Sequence, residues 1–108
     1  MTNRKLKDPL VDRLFDAILC LENHDECYRF FEDLCTVSEL RSLAQRFEAA
    51  KMLAAGHTYD EIVRKTGMST ATISRIKRFL HYGADGYRLV LDRLAQFEKK
   101  EAADGGKK

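Results

Sequence analysis

The chain has 108 residues, 44% of them apolar and 33% charged, with a formal net charge of +2 and a pI of about 8.5. That balance excludes a disordered chain and also the strongly basic coat of a nonspecific nucleic-acid packager, so any nucleic-acid contact has to come from a local patch on one small domain. No apolar run reaches membrane-spanning length, and the basic start MTNRKLKDPL is followed by no long apolar segment, so neither a membrane span nor a secretory signal is expected and the cytoplasm is the expected compartment.

Residues 1–7 read as a flexible basic arm carrying Arg4, Lys5 and Lys7. Asp8 then caps a first helix that starts at Pro9, where the missing N–H costs nothing. Leu10, Val11, Leu14, Phe15, Ile18 and Leu19 give that helix a wide apolar face. Asn23 and Glu26 mark a second start, and Cys27, Phe30, Phe31 and Leu34 recur at helical spacing behind it. Thr36 and Glu39 have capping-box spacing. They open a third helix through Leu40, Leu43, Ala44, Phe47, Ala50, Leu53 and Ala54 that Gly56 ends, expected to be the longest and the central beam. The three cysteines, Cys20, Cys27 and Cys35, show no CxxC pair and fall in or beside apolar stripes, so buried free thiols are expected rather than metal ligands.

Residues 58–80, TYDEIVRKTGMSTATISRIKRFL, organise the chain. Thr58 and Glu61 again have capping-box spacing, and Ile62 and Val63 face inward on a short helix. Gly67 occupies a turn that needs positive φ, and Ser69 caps the next helix. Ile73, Ile76 and Leu80 form one buried stripe, and the opposite face carries Thr70, Thr72, Ser74, Arg75, Lys77 and Arg78. A helix of this kind fits the major groove: small hydroxyl residues at its start approach base edges, and basic residues neutralise phosphates. Arg64 and Lys65, at the end of the first helix, add two cations beside the turn. The pattern predicts a helix-turn-helix in which Thr70, Thr72 and Ser74 contact bases while Arg64, Lys65, Arg75, Lys77 and Arg78 contact or flank phosphates.

The segment 81–86, HYGADG, reads as a break. Tyr87, Val90, Leu91, Leu94 and Phe97 form a last amphipathic helix, and 99–108 read as a disordered tail. The reading is therefore all-α with six helices, in one helical domain over 8–98. His24, His57 and His81 share no ligand spacing, no nucleophile constellation or phosphate loop occurs, and neither a catalytic role nor a metal or cofactor is expected. The apolar faces of the first two helices and the last one are too wide for so few neighbours, which implies a homodimer sharing its core. Two-fold symmetry then predicts double-stranded DNA with an approximately palindromic site as the partner.

From Thr36 to Leu94 the chain resembles the Trp repressor superfamily, and within it the YerC/YecD type. The segments that carry the likeness are CTVSELRSLAQRFEAAKMLAAG and TYDEIVRKTGMSTATISRI, followed by a glycine-containing break and a final helix. The resemblance implies an intertwined dimer of six-helix chains that binds operator DNA as a transcriptional regulator of repressor type. By position it implies that Thr70, Ala71, Thr72 and Ser74 meet DNA. It also implies that Thr36, Arg46, Thr72 and Arg75 match the surroundings of the repressor's corepressor tryptophan. The chain departs from that pattern at two places. Ile76 stands where the repressor has a glycine that leaves room for the indole ring, and Phe79 stands where it has a serine facing the ligand's amino group. Tryptophan is therefore not expected as a ligand, and Arg46 and Arg75 are expected instead to pair with acidic residues such as Glu48 or Glu39. Two other readings stay open at this point: a protein-interaction module of the transcription machinery, and a regulator sensing another small metabolite.

Overall fold

A computed structural model describes residues 7–105; positions 1–6 of the expected arm and 106–108 of the expected tail lie outside the described residues. Among the described residues the chain forms six helices and no strand: α1 (Pro9–Leu19), α2 (His24–Leu34), α3 (Val37–Ala54), α4 (Tyr59–Thr66), α5 (Thr70–Tyr82) and α6 (Gly86–Gly105). The chain, read from sequence as one helical domain, divides within α3 into two compact units, Met1–Ala44 and Gln45–Lys108.

The first unit is held by local signals. The Asp8 carboxylate accepts the Leu10 N–H at 2.7 Å, with Pro9 opening α1. The Asn23 side chain accepts the Glu26 N–H at 2.9 Å, and Glu26 reaches back to the Glu22 N–H at 2.9 Å. Thr36 and Glu39 exchange the two bonds of a capping box, at 3.0 and 2.9 Å, which hold the Glu39 carboxyl below its usual pKa, chiefly through the Thr36 N–H. Packing contributes less. Neither α1 nor α2 has a fully buried residue, and Leu10, Leu19 and Val37 are 69%, 82% and 74% exposed. The thiols follow suit: Cys20 is exposed and Cys27 and Cys35 are only half-buried, against the expectation of burial. The apolar stripes on which they lie have little to pack against within this unit.

The second unit contains the core. Ala49 and Ala50 of α3, Ile62 of α4, and Ile73 and Ile76 of α5 form one buried cluster, with Met52, Leu53, Tyr59, Val63, Met68 and Tyr87 packed around it. Ile62 and Ile73 are completely buried in this cluster beside the two small alanine side chains. α3 ends in a two-bond glycine motif. The His57 N–H reaches the Met52 carbonyl at 3.0 Å, the Gly56 N–H reaches Leu53 at 3.1 Å, and Gly56 takes φ +89°.

Two helix ends differ from the sequence reading. α5 continues past Leu80 to Tyr82 and stops at Gly83, whose N–H closes on the Phe79 carbonyl at 2.9 Å; His81 and Tyr82 are tolerated in a helix and the glycine is the breaker. α6, with 20 residues, is longer than α3, with 18. It runs to Gly105, through most of the segment expected to be a disordered tail. Lys99, Lys100, Glu101, Ala102 and Ala103 are good helix formers, and propagating an existing helix costs far less than nucleating one. A 3.7 Å ion pair between Lys51 and Glu98 ties α6 to α3 just before that extension.

Candidate nucleic-acid interface

The α4–α5 pair is built from caps outward. The Thr58 hydroxyl accepts the Glu61 N–H at 3.2 Å, and the Glu61 carboxylate accepts the Thr58 N–H at 3.0 Å, completing the capping box. The His57 ring lies 3.0 Å from the other carboxylate oxygen. These contacts, led by the Thr58 N–H, hold the Glu61 carboxyl down at a pKa of about 2. At the far end of α4, the buried Thr66 hydroxyl donates to the Ile62 carbonyl at 2.8 Å and accepts the Met68 N–H at 3.2 Å. Gln45 of α3 donates to the Thr66 carbonyl at 3.1 Å, so the turn is anchored to the beam behind it. Gly67 adopts φ +74° and its N–H meets the Val63 carbonyl at 2.8 Å. Ser69 then caps α5, accepting the Thr72 N–H at 3.2 Å.

On α5 the stripe of Ile73, Ile76 and Leu80 is buried, and Thr70, Ala71, Ser74, Arg75, Lys77 and Arg78 are exposed. At about 3.6 residues per turn, Ala71, Ser74, Arg75 and Arg78 lie opposite the buried stripe. Two of the residues singled out from sequence are placed differently. The Lys77 ammonium lies 5.9 Å from the centre of the Tyr59 ring, a cation–π contact on the flank facing α4. Thr72 is half-buried, and its hydroxyl lies 2.9 Å from that of Ser69. Tyr59 was not singled out from sequence. A lone aromatic at the first position of a helix has no spacing signal, and its partner is 18 positions away.

The electrostatics are one-sided. Between positions 62 and 84 the chain carries Arg64, Lys65, Arg75, Lys77 and Arg78 and no carboxylate. Arg64 reaches the Asp60 carbonyl of its own helix at 3.4 Å, and Lys65 is exposed. The arrangement offers an anion exposed cations on α4 and α5, with hydroxyls at the α5 N-terminus.

The four positions matched to a corepressor pocket are otherwise engaged or open. The Thr36 hydroxyl caps α3, Thr72 faces Ser69, and Arg46 and Arg75 are exposed. The ion pairs among the described residues are Arg29–Asp25 and Lys51–Glu98, with the His57 ring also against Glu61, so the expected pairing of Arg46 or Arg75 with Glu48 or Glu39 is not formed. Glu39 is committed to the Thr36 cap, and Glu48, two residues from Arg46, points to another face of α3. Ile76 is 4% exposed within the core cluster, whereas Phe79 is 57% exposed and borders an open apolar groove of about 490 Å³ with Phe47, Ala84, Gly86, Tyr87 and Val90.

A capped helix, a glycine turn in positive φ and a second helix with a basic outer face define a helix-turn-helix protein, a class built for the major groove. Comparison with known proteins gives the family. Residues 10–95 match the family model described as Trp repressor protein. The chain is 52% identical over 99 residues to the uncharacterized protein YerC of Bacillus subtilis (strain 168), covering 92% of this chain and 95% of YerC. A crystal structure of a candidate Trp repressor from Staphylococcus aureus superposes with a TM-score of 0.82 at 55% identity, over 88% of this chain and 95% of that one. A TrpR like protein from Eubacterium eligens ATCC 27750 gives 0.83 at 58% identity, over 86% and 96%. The chain belongs to the Trp repressor family, a family of DNA-binding regulators.

Proposed function

We propose that the protein is a homodimeric, sequence-specific transcriptional repressor that binds an approximately palindromic operator without tryptophan. The observation that carries this reading is α5: a helix buried on one side by Ile73, Ile76 and Leu80, with Ala71, Ser74, Arg75 and Arg78 outward in a carboxylate-free stretch. Thr70, Ala71, Thr72 and Ser74 are the base-facing set, with Thr72 acting from its Ser69-bonded position. Arg64, Lys65, Arg75, Lys77 and Arg78 contact or flank phosphates. The exposed apolar faces of α1 and α2, with Leu89, Val90 and Phe97 of α6, support a second copy as the cover for surfaces a single chain leaves in water. Two-fold symmetry then sets the recognition helices about 34 Å apart, the spacing known for helix-turn-helix dimers, Trp repressor among them. The absence of a tryptophan requirement rests on Ile76, whose side chain is part of the core at the position of the repressor's glycine.

Selection of bound sequences from a random duplex pool, at near-physiological salt and with no small molecule added, tests the proposal. A two-fold-symmetric motif with half-sites about one turn apart is expected. Enrichment that appears only when tryptophan is added would overturn the effector-free reading, and no enrichment under either condition would overturn the DNA-binding assignment.

A further inference from the structure

The recognition helix is bonded at its C-terminal end by a side chain that none of the readings above uses. α5 leaves helical geometry at Gly83, with φ −86° and ψ −151°, and its Phe79 carbonyl takes the Gly83 N–H. The Leu80 carbonyl comes next in the ladder, but the chain has already turned away before Ala84 can donate to it. Arg88, in the first turn of α6, supplies the donor: its Nε lies 3.0 Å from the Leu80 oxygen. The same guanidinium places Nη2 3.0 Å from Nδ1 of His81. A guanidinium only donates, so in this contact Arg88 is the donor and Nδ1 of His81 the acceptor. The cation also stands at the negative end of the α5 dipole.

We propose that Arg88 is a positioning residue for DNA recognition, a two-point clamp that fixes the end of α5 to α6 and so presets how the recognition helix is offered to the groove. This rests on the DNA-binding reading above and adds to it a residue that touches no DNA. The physical reason is the difference between the two kinds of contact. Phosphate contacts carry no sequence information, whereas sequence is read by hydrogen bonds to base edges, which weaken steeply when the helix that carries them is misaligned. Loss of the clamp therefore lowers affinity for the selected operator while leaving affinity for unrelated duplex DNA in place.

The test compares Arg88→Gln with Arg88→Met in the full-length protein. Both remove the charge. Glutamine keeps an N–H donor at the same number of bonds from the backbone as Nε, and methionine has none. The methionine variant is expected to lose about tenfold more operator affinity than the glutamine variant, with equal nonspecific affinity and equal salt slopes. Equal losses in the two variants would show that only the charge matters and would overturn the clamp. Should the methionine variant not fold, the exposed His81 provides a second arm. His81→Ala removes the outer point and is expected to lower the specific-to-nonspecific ratio by about threefold; an unchanged ratio overturns the two-point clamp. If the unaltered protein enriches no sequence at all, the DNA reading falls, and the role in recognition falls with it. The clamp itself is then read on the free protein by amide exchange at Gly83, faster with methionine than with glutamine if the clamp exists and equal if it does not.

Discussion

Ile76→Ala separates a packed core position from a position kept open for a ligand. Ile76 is 4% exposed and belongs to the cluster of Ala49, Ala50, Ile62 and Ile73. Truncating a buried aliphatic side chain to alanine costs about 2–5 kcal/mol, because the lost transfer energy adds to that of an incompletely collapsed cavity. Ala49 and Ala50 cannot move into the space, whereas Met52 and Met68 at the edge of the cluster can fill part of it, which places the expectation in the middle of that range. Alanine's better helix propensity returns up to about 0.7 kcal/mol. The net expectation is a loss of about 3 kcal/mol, or a melting point lower by about 10–20 °C for a chain of this size. Urea unfolding followed by circular dichroism at one fixed protein concentration measures it; the midpoint should fall and the slope should not change. A loss below about 1 kcal/mol would refute the packing argument. The same preparation tests the ligand consequence. A ligand at a hundred times its dissociation constant stabilises a protein by about 2.7 kcal/mol, so saturating tryptophan would raise the melting point visibly. No shift is expected, and a shift would mean that Ile76 does not occupy the indole's place.

Three other outcomes follow from the geometry. The Glu61 carboxyl has its pKa lowered from 4.5 to about 2, so its contribution to stability is complete above about 4.5 and is lost as pH falls from there toward about 2. Glu61→Gln should flatten the fall in stability across that window, and an unaltered acid limb would remove the capping box from the account. Gly67 and Gly83 should respond differently to alanine. At Gly67 the added methyl meets open space and the cost is the positive φ alone, about 1 kcal/mol. At Gly83 the methyl would collide with the backbone carbonyl of Phe79, so Gly83→Ala should lower the melting point further than Gly67→Ala, and the reverse order would contradict the described turn. Lys77→Ala should weaken binding to all DNA sequences alike and reduce the magnitude of the log–log salt slope by about 1. An unchanged slope would leave Lys77 as a packing partner of Tyr59 only.

Much of this molecule is written in interactions that span four residues or fewer. Asp8 with Pro9, Asn23 with Glu26, Thr36 with Glu39, Thr58 with Glu61 and Ser69 before α5 each place a helix start where the structure has one. Gly56 and Gly67 mark the stops, and the Ile73–Ile76–Leu80 spacing gives the face of α5 that packs inward. Such signals are readable without tertiary knowledge because donor, acceptor and apolar partner are all neighbours along the chain. The helix-turn-helix and most of its outward residues, Thr72 and Lys77 excepted, were therefore legible as a pattern, and the likeness to a known family narrowed what the pattern means. What remained hidden depends on partners distant in sequence or on what a neighbour leaves uncovered. The contact of Lys77 with Tyr59 and the anchoring of Thr66 by Gln45 each join different helices, and no periodicity predicts them. Arg88 reaches Leu80 across a glycine turn whose geometry decides which carbonyl is left without a backbone donor. The exposure of Cys20 was missed for a related reason, since an apolar stripe shows that a face seeks cover and does not show whether its own unit supplies any. Helix starts, the glycine stops of α3 and α4, and face periodicity were thus decided by the sequence locally. The direction in which each cation points, and the fixing of the recognition helix, were decided by the tertiary structure, because a side chain's partner is chosen by which backbones and rings folding brings within a few ångströms of it.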